Sequence, residues 1–374
     1  MNQKKQMIIV GAGPIGCYLA QLLKRKGANP LLIEEHKEIG RPLHCAGLVG
    51  KKVFEETKIP LSDSCILNII NGATFYMNKN KIAIRRKEVA YVIDREKFDK
   101  HLGQNLDINF ETRFLGLEKQ NGSYLIETDK GHLEADIVIG AEGAKSVLRE
   151  FVAGNHMQYL KGVQFRMKAR PSAIDMVEVY IKKPYFYWII PESNEIIRVG
   201  VLSNNPYQDL INFIEEINLK GEILEKFAGI VPLTHFSSLS KEGIFLVGDS
   251  ASQIKPLSYG GIYMGMRAAE ILCECISQEK FNDYNMLWTK KFGKEIEFAL
   301  QARHVFSKLT DPDIEKIFAF IKKRTDIIEE KGDFENHSLL LWEFLKQPDI
   351  TGDILNILFR IIKNSFSYSR KEMV

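Results

Sequence analysis

Hydrophobic positions fall into three regimes along the chain. At the start, Met7-Ile8-Ile9-Val10 is a short apolar run of strand type. Glycines follow, Cys17 to Lys26 carries helical spacing stopped by Gly27, and Leu31-Leu32-Ile33 predicts a second strand. Together they make a strand, helix, strand unit of about thirty residues. From about Ile66 to Val201 the pattern shortens into alternating segments separated by the turn signals Asn71-Gly72, Asn121-Gly122 and Lys130-Gly131, which predicts antiparallel strands. From about Gly261 it is helical to the end, without repeats or low-complexity tracts. Near the end, Ile354, Leu355, Leu358, Ile361 and Ile362 share a helical face opposite Asn356, Arg360, Lys363 and Asn364. Such a helix either packs on the body or rests on a membrane surface.

Composition narrows the class. A chain of 374 residues with 45% hydrophobic and 26% charged positions is globular, and disorder is excluded for most of it. The 51 Lys+Arg against 48 Asp+Glu are interspersed and leave only +3, so no nucleic-acid partner is implied. Cys17, Cys45, Cys65, Cys273 and Cys275 are an odd number, with spacings of neither a zinc site nor an iron-sulfur cluster. We expect no metal and a reducing cytoplasm. The start has lysines at 4 and 5 and then an uncharged run to Leu23, which superficially resembles an export signal. Gly11, Gly13, Pro14 and Gly16 break that run, no small-x-small cleavage site follows, and strand, turn and helix is the better reading. No stretch of ~18 uncharged apolar residues is present to span a membrane.

Gly11-Ala12-Gly13-Pro14-Ile15-Gly16 is G-x-G-x-x-G directly after a strand and opening a helix, where glycines let the backbone approach a pyrophosphate and the helix N-terminus faces its charge. Glu34 lies eighteen residues past Gly16, at the end of the second strand, where a carboxylate can accept both ribose hydroxyls of an adenosine. Ala135 to Gly143 and Gly243 to Asp249 are buried-type strands ending in small residues, and each by itself also fits a core strand. Together with the first motif they resemble the three-part fingerprint of the flavoprotein hydroxylase and reductase superfamily. That resemblance implies FAD, with Asp249 reaching the ribityl chain and Arg95, in Val92 to Asp99, helping to hold the cofactor. Glu142-Gly143 stands where Asp-Gly is usual, so the longer Glu142 preserves a turn or a backbone contact at most. Backbone N–H groups near Gly260 to Ile262, ahead of a helix, could face the flavin N1–C2=O edge.

A narrower resemblance follows. Arg41-Pro42-Leu43-His44-Cys45-Ala46-Gly47-Leu48 is similar to the Pro-x-x-Cys-x-Gly segment of the geranylgeranyl reductase family, and Pro256-Leu257-Ser258-Tyr259-Gly260-Gly261-Ile262 to its Pro-Leu-Thr-Gly-Gly-Gly-Ile. Tyr185-Phe186-Tyr187-Trp188-Ile189-Ile190-Pro191 corresponds to its Tyr-x-Trp-x-Phe-Pro, with Phe186 and Ile190 as replacements. Tyr259 and Ser252 stand where glycines are usual. The match runs in order over roughly residues 1 to 270.

The resemblance implies an α/β fold. A Rossmann-type (GR2-like) FAD-binding domain would take residues 1–65, 90–155 and 236–280, an antiparallel β-sheet substrate domain residues 66–89 and 156–235, and C-terminal helices residues 281–374. The implied cofactor set is Gly11, Gly13, Pro14, Ile15, Gly16, Glu34, Glu35, Arg41, Cys45, Ala46, Gly47, Arg95, Phe114, Gly143, Asp249, Pro256, Gly260, Gly261 and Ile262. The implied substrate set is Tyr185, Phe186, Trp188, Pro191 and Tyr259, the aromatic ones of strand 185–191 serving equally as core residues.

Members of that family hydrogenate prenyl double bonds, so the partners expected are an isoprenoid lipid and an external donor, whether ferredoxin, deazaflavin or NAD(P)H. The expected location is cytoplasmic with peripheral contact at the inner face of the membrane. An isolated alkene has no carbonyl to polarise, so hydride from flavin N5 must be matched by a proton. Cys45 is the candidate catalytic donor, its thiol either delivering that proton, with water assisting, or only packing beside the flavin. Two rivals stand. Phe186-x-Trp188-x-Ile190-Pro191 also resembles the Trp-x-Trp-x-Ile-Pro of flavin-dependent halogenases, although the Pro256 loop has the reductase spacing. An electron-transfer flavoprotein would have no buried lipid pocket.

Overall fold

The computed structural model describes residues 5–154, 156–347, 350, 352 and 354–357. The apolar runs Met7–Val10, Leu31–Ile33, Ile137–Gly140 and Ile244–Leu246 are strands of one six-stranded sheet, in the order 240–241, 244–246, 137–140, 7–10, 31–33, 107–109. All its pairings are parallel except the edge pair of Ser240–Lys241 with Ile244–Leu246. Strands this uniformly apolar suit a parallel sheet covered on both faces. The helix Pro14–Arg25 begins with proline in its first turn, where no N–H is needed, and packs against the helix Ile262–Ser277. Between them the wholly buried Tyr18 donates its hydroxyl proton to Glu270 at 2.6 Å and accepts from the Lys58 N–H at 2.9 Å. A three-stranded antiparallel sheet, Phe114–Gln120, Ser123–Thr128 and Gly131–Ala135, adds Phe114, Tyr124 and Ile126 to the same core.

A second sheet has eight strands, ordered 222–232, 159–168, 196–203, 185–191, 177–182, 66–77, 80–93, 48–50. One face is closed by the helix Pro206–Glu216 through Leu210 and Phe213. Ile70, Ala90, Val92, Val177 and Ile190 form an apolar cluster of their own, joined by Ala46, Leu48, Trp188 and Phe334.

Two expectations for this region need correction. The strands are not all antiparallel: Val177–Lys182 runs parallel to Ile66–Met77, because the chain returns from the other half of the molecule before adding that strand. Nor does Asn71-Gly72 make a turn. It lies inside the strand Ile66–Met77, where the register against Asn80–Ile93 shifts between Ile70 and Gly72. Gly72 has φ +150°, and a Cβ there would come within 2.0 Å of the Ile84 carbonyl oxygen. A bulge uses the same freedom of φ as a turn, which is why the dipeptide reads alike in both. The reversal is at Asn78-Lys79, with Asn78 at φ +51°. Gly72→Ala is expected to cost about 1–3 kcal/mol, seen as a lower urea midpoint with an unchanged slope. By contrast, Asn121-Gly122, at φ +50° and +91°, does close a two-residue hairpin.

The helices Asp283–Lys308, Asp311–Lys322, Thr325–Lys331 and Ser338–Leu345 complete the described chain. The tip of the 66–77/80–93 hairpin is covered by Val305, Leu309, Ile314 and Phe318 against Met77 and Ile82. Of the amphipathic face expected near the end, Ile354 is buried with Phe320 and Phe344, while Leu358 to Asn364 lie outside the described residues. Among the described residues no helix is long and apolar enough to cross a membrane.

Candidate functional site

The parallel strands deliver their loops to one edge of the sheet, the C-terminal edge where such folds take ligands. Gly11 follows Met7–Val10 with φ +101°, and a Cβ on it would stand 2.5 Å from the Ala141 carbonyl oxygen of the neighbouring loop. A Cβ on Gly16 would meet the Gly11 carbonyl oxygen at 2.1 Å, so strand, turn and helix close together only with glycine at both positions. Gly13 is different: nothing lies within 4 Å of its Cβ direction. It opens the helix Pro14–Arg25 with neither a side-chain cap nor an acidic residue in the first turn. That leaves unpaired N–H groups and the positive end of the helix facing open space. Ile15 instead turns inward, against Gly248 and Gly265.

Glu34 ends the second strand beside this loop. Its Oε2 accepts from the Ala12 N–H at 2.8 Å and its Oε1 from the His36 N–H at 3.0 Å. His36 Nδ1 also lies 2.6 Å from Oε1, so of the about four lone-pair positions of a carboxylate about one remains for a ribose hydroxyl. Glu35 is exposed, 4.0 Å from the His36 ring.

Asp249 follows Ile244–Leu246 on a short 3-10 turn, its Oδ1 2.7 Å from where a Cβ on Gly261 would be. Burial pushes its carboxyl up from the ordinary value, while the charges of Arg95 and Arg149 pull it back. The loop after it folds into a ring: the Lys255 N–H donates to the Gly260 carbonyl at 3.0 Å and the Tyr259 N–H to the Lys255 carbonyl at 2.8 Å. Pro256 is buried within it. The helix Ile262–Ser277 then starts, again with no side-chain cap and no acid in its first turn.

The cysteine segment is clamped to the larger sheet. His44 Nδ1 lies 2.6 Å from the Ala228 carbonyl oxygen, and Arg198 Nη1 donates to the carbonyls of Ala46 at 2.8 Å and Ile93 at 3.2 Å. Gly47, at φ +71°, leaves the space that the Arg198 guanidinium fills, 2.1 Å from its Cβ position. The Gly47 N–H donates to the Cys45 sulfur at 3.3 Å. Arg95 opens the helix Arg95–Leu102, pairs with Asp99 at 2.9 Å and interacts with Cys45. Burial would lower its pKa, but Asp99 and Cys45 raise it above the ordinary arginine value. Arg41 points outward and pairs with Glu96 at 2.8 Å.

The aromatic residues divide. Phe186 stacks on Tyr259 at 6.0 Å between centroids and lies 6.1 Å from Trp188, joining the sheet to the loop that carries Gly260. Trp188 lies flat on Gly200 and donates its Nε1 proton to Gln164 at 2.9 Å. Alternation along the strand sends Tyr185 to the other face, with Tyr187 against the helix Pro206–Glu216. Pro191 is buried at the strand end, and its carbonyl accepts from Asn68 at 2.8 Å. Phe114 is wholly within the core of the nucleotide half.

Several residues of the site escape a reading of motifs. Arg149 is 3% exposed and donates to the carbonyls of Ser250 at 2.9 Å and Ala144 at 2.7 Å, stitching the Gly143 loop to the Asp249 loop. Glu142 turns inward, accepting from Ser146 and from the Val147 N–H at 2.9 Å, so it holds the turn after the glycine. Arg198 bonds across the two halves through Ala46. Arg149 lies six positions past Gly143 in the sequence, and no local pattern marks either it or Arg198.

Two uncapped helix starts, the open side of Gly13, the Glu34 carboxylate and the Asp249 carboxylate all lie at the C-terminal end of the parallel sheet, and their chemistry fits the phosphates, ribose and ribityl chain of FAD. This fold and edge define an FAD-dependent oxidoreductase. A family model described as pyridine nucleotide-disulphide oxidoreductase matches residues 8–160. An uncharacterized protein of Methanocaldococcus jannaschii is 31% identical, covering 96% of this chain and 98% of its own length. Digeranylgeranylglycerophospholipid reductase 1 of Methanococcoides burtonii is 28% identical over 91% of this chain and 95% of its own. In fold, the chain is similar to a geranylgeranyl bacteriochlorophyll reductase-like protein of Thermoplasma acidophilum, with a TM-score of 0.79 at 24% identity over 94% of this chain and 99% of that one. Along most of its length the chain is thus similar to proteins named as digeranylgeranylglycerophospholipid reductases.

Proposed function

We propose that this protein hydrogenates carbon–carbon double bonds in the geranylgeranyl chains of a lipid, with a proton delivered by Cys45 or by water held there. FAD, when bound and reduced by an external donor, supplies the hydride from N5. The observation that carries the reading is the apolar setting of the cysteine: the partly exposed Ala46, Leu48, Trp188 and Phe334 pack on the buried cluster of Ile70, Ala90, Val92, Val177 and Ile190, next to the Cys45 loop. A hydrocarbon chain gains about 0.8 kcal/mol per buried methylene on such a surface and needs no polar recognition along its length. Arg198 and His44 fix the loop that carries the thiol, and the Gly47 N–H donates to its sulfur. The relatives named as reductases of digeranylgeranylglycerophospholipids support the substrate class.

The test is anaerobic. Holoprotein reduced with dithionite and given geranylgeranyl lipids is expected to yield products heavier by two hydrogens per reduced bond as the flavin spectrum returns to the oxidised form. No mass gain with any prenyl lipid, together with oxygen-dependent hydroxylation or halogenation of an aromatic compound, would overturn the reading.

A further inference from the structure

Lys255 occupies a position that elementary electrostatics disfavours. Its side chain is 5% exposed, and a Cβ on Gly260 would sit 2.9 Å from its Cε, so the ammonium lies directly under the turn that leads into the helix Ile262–Ser277. The start of a helix is its positive end, where an anion is favoured and a cation is not. This helix has no acidic residue in its first turn to offset the lysine. The counter-charge comes from far along the chain: Glu335 Oε2 stands 2.9 Å from Lys255 Nζ with its side chain 3% exposed. The ammonium also donates to the Phe334 carbonyl at 3.0 Å and lies 4.3 Å from the centre of the Phe334 ring.

The segment that brings Glu335 is pinned on both sides. Lys52 pairs with Asp333 at 2.6 Å, and Glu295 accepts from the N–H groups of His337 at 2.7 Å and Ser338 at 3.0 Å. Glu335 enters over Gly50, whose Cβ position is 2.2 Å from its Oε1, so the strand end admits the carboxylate only as glycine. A buried ion pair contributes no more stability than apolar residues of the same volume, so stability alone does not account for this placement.

We propose that Lys255 is a flavin-tuning residue. Its charge adds to the helix end at Gly260 to Ile262, favouring the extra electron density that the isoalloxazine carries when reduced, and Glu335 sets how much of that charge is felt. The inference rests on that turn facing the flavin, and is independent of which substrate the reduced cofactor meets.

The test is a dye-coupled redox titration of the FAD-loaded protein without lipid, so failure of the prenyl-reductase reading leaves its result intact. Lys255→Met is expected to lower the preference for reduced over oxidised FAD about tenfold, or ~30 mV for a two-electron couple. Glu335→Gln is expected to raise it by a similar factor, and Lys255→Arg to leave it unchanged. A merely structural pair would move the first two variants in the same direction through loosened packing. Shifts of equal sign, or both within threefold of the parent, would overturn the proposal. If Lys255→Met does not fold, Glu335→Gln decides it: a rise supports the proposal, and a fall or a change within threefold overturns it.

Discussion

Gly16→Ala is expected to yield protein that purifies without FAD and is less stable by about 1–3 kcal/mol. The added methyl would lie 2.1 Å from the Gly11 carbonyl oxygen and 3.2 Å from the Ala141 side chain, both parts of the nucleotide edge. Backbone cannot yield there as a flexible side chain would, so the helix Pro14–Arg25 must move off the loop, taking with it the uncapped N-terminus that we propose holds the pyrophosphate. Its other side is held by the helix Ile262–Ser277 through Tyr18 and Glu270, which spreads the displacement into the core. Titration of apoprotein with FAD, followed by flavin fluorescence, should show a Kd weakened ~100-fold, equivalent to about 2.7 kcal/mol. Unchanged affinity would mean that the cofactor does not rest on this helix end.

Cys45→Ala is expected to slow reoxidation of the reduced protein by a prenyl lipid roughly 10²–10⁴-fold, the usual weight of a positioned acid. FAD content should not change, because the loop is anchored by Arg198 and His44 and not by the thiol. Single-turnover absorbance under anaerobic conditions isolates this step from donor reduction. A rate equal to the parent would assign proton delivery to water and leave the cysteine as packing.

The legible parts of the molecule are those whose determinants are contiguous. Gly11 to Gly16, Glu34 and the Gly248-Asp249 pair declare themselves because strand, turn and helix are consecutive, and each strand lies where its apolar run lies. What was not legible depends on contacts remote in sequence. Arg149 acts through Ser250, Arg198 through Ala46 and Lys255 through Glu335, and no local pattern marks which arginine or lysine finds such a partner. The parallel joining of Val177–Lys182 to Ile66–Met77 is of the same kind, since strand periodicity reports faces and not neighbours. Tyr185 is the opposite case: period-two alternation alone separates it from Phe186 and Trp188, once the segment is taken as one strand.

The strand Asn80–Ile93 runs unbroken through residue 89, pairs with Leu48–Gly50 beside the cysteine loop, and passes through Asp94 directly into the helix that begins with Arg95. A chimera joining the large sheet of one relative to the nucleotide half of another cannot exchange them at residue 89. The crossover would split a single hydrogen-bonded ladder, with Ile66 to Ile70 from one parent and the residues 90–93 they pair with, next to Cys45 and Arg95, from the other. Recombination that keeps residues 41–50 and 80–102 together would inherit that pair as a unit, and gene libraries built on this fold would be enriched in active members by respecting that block.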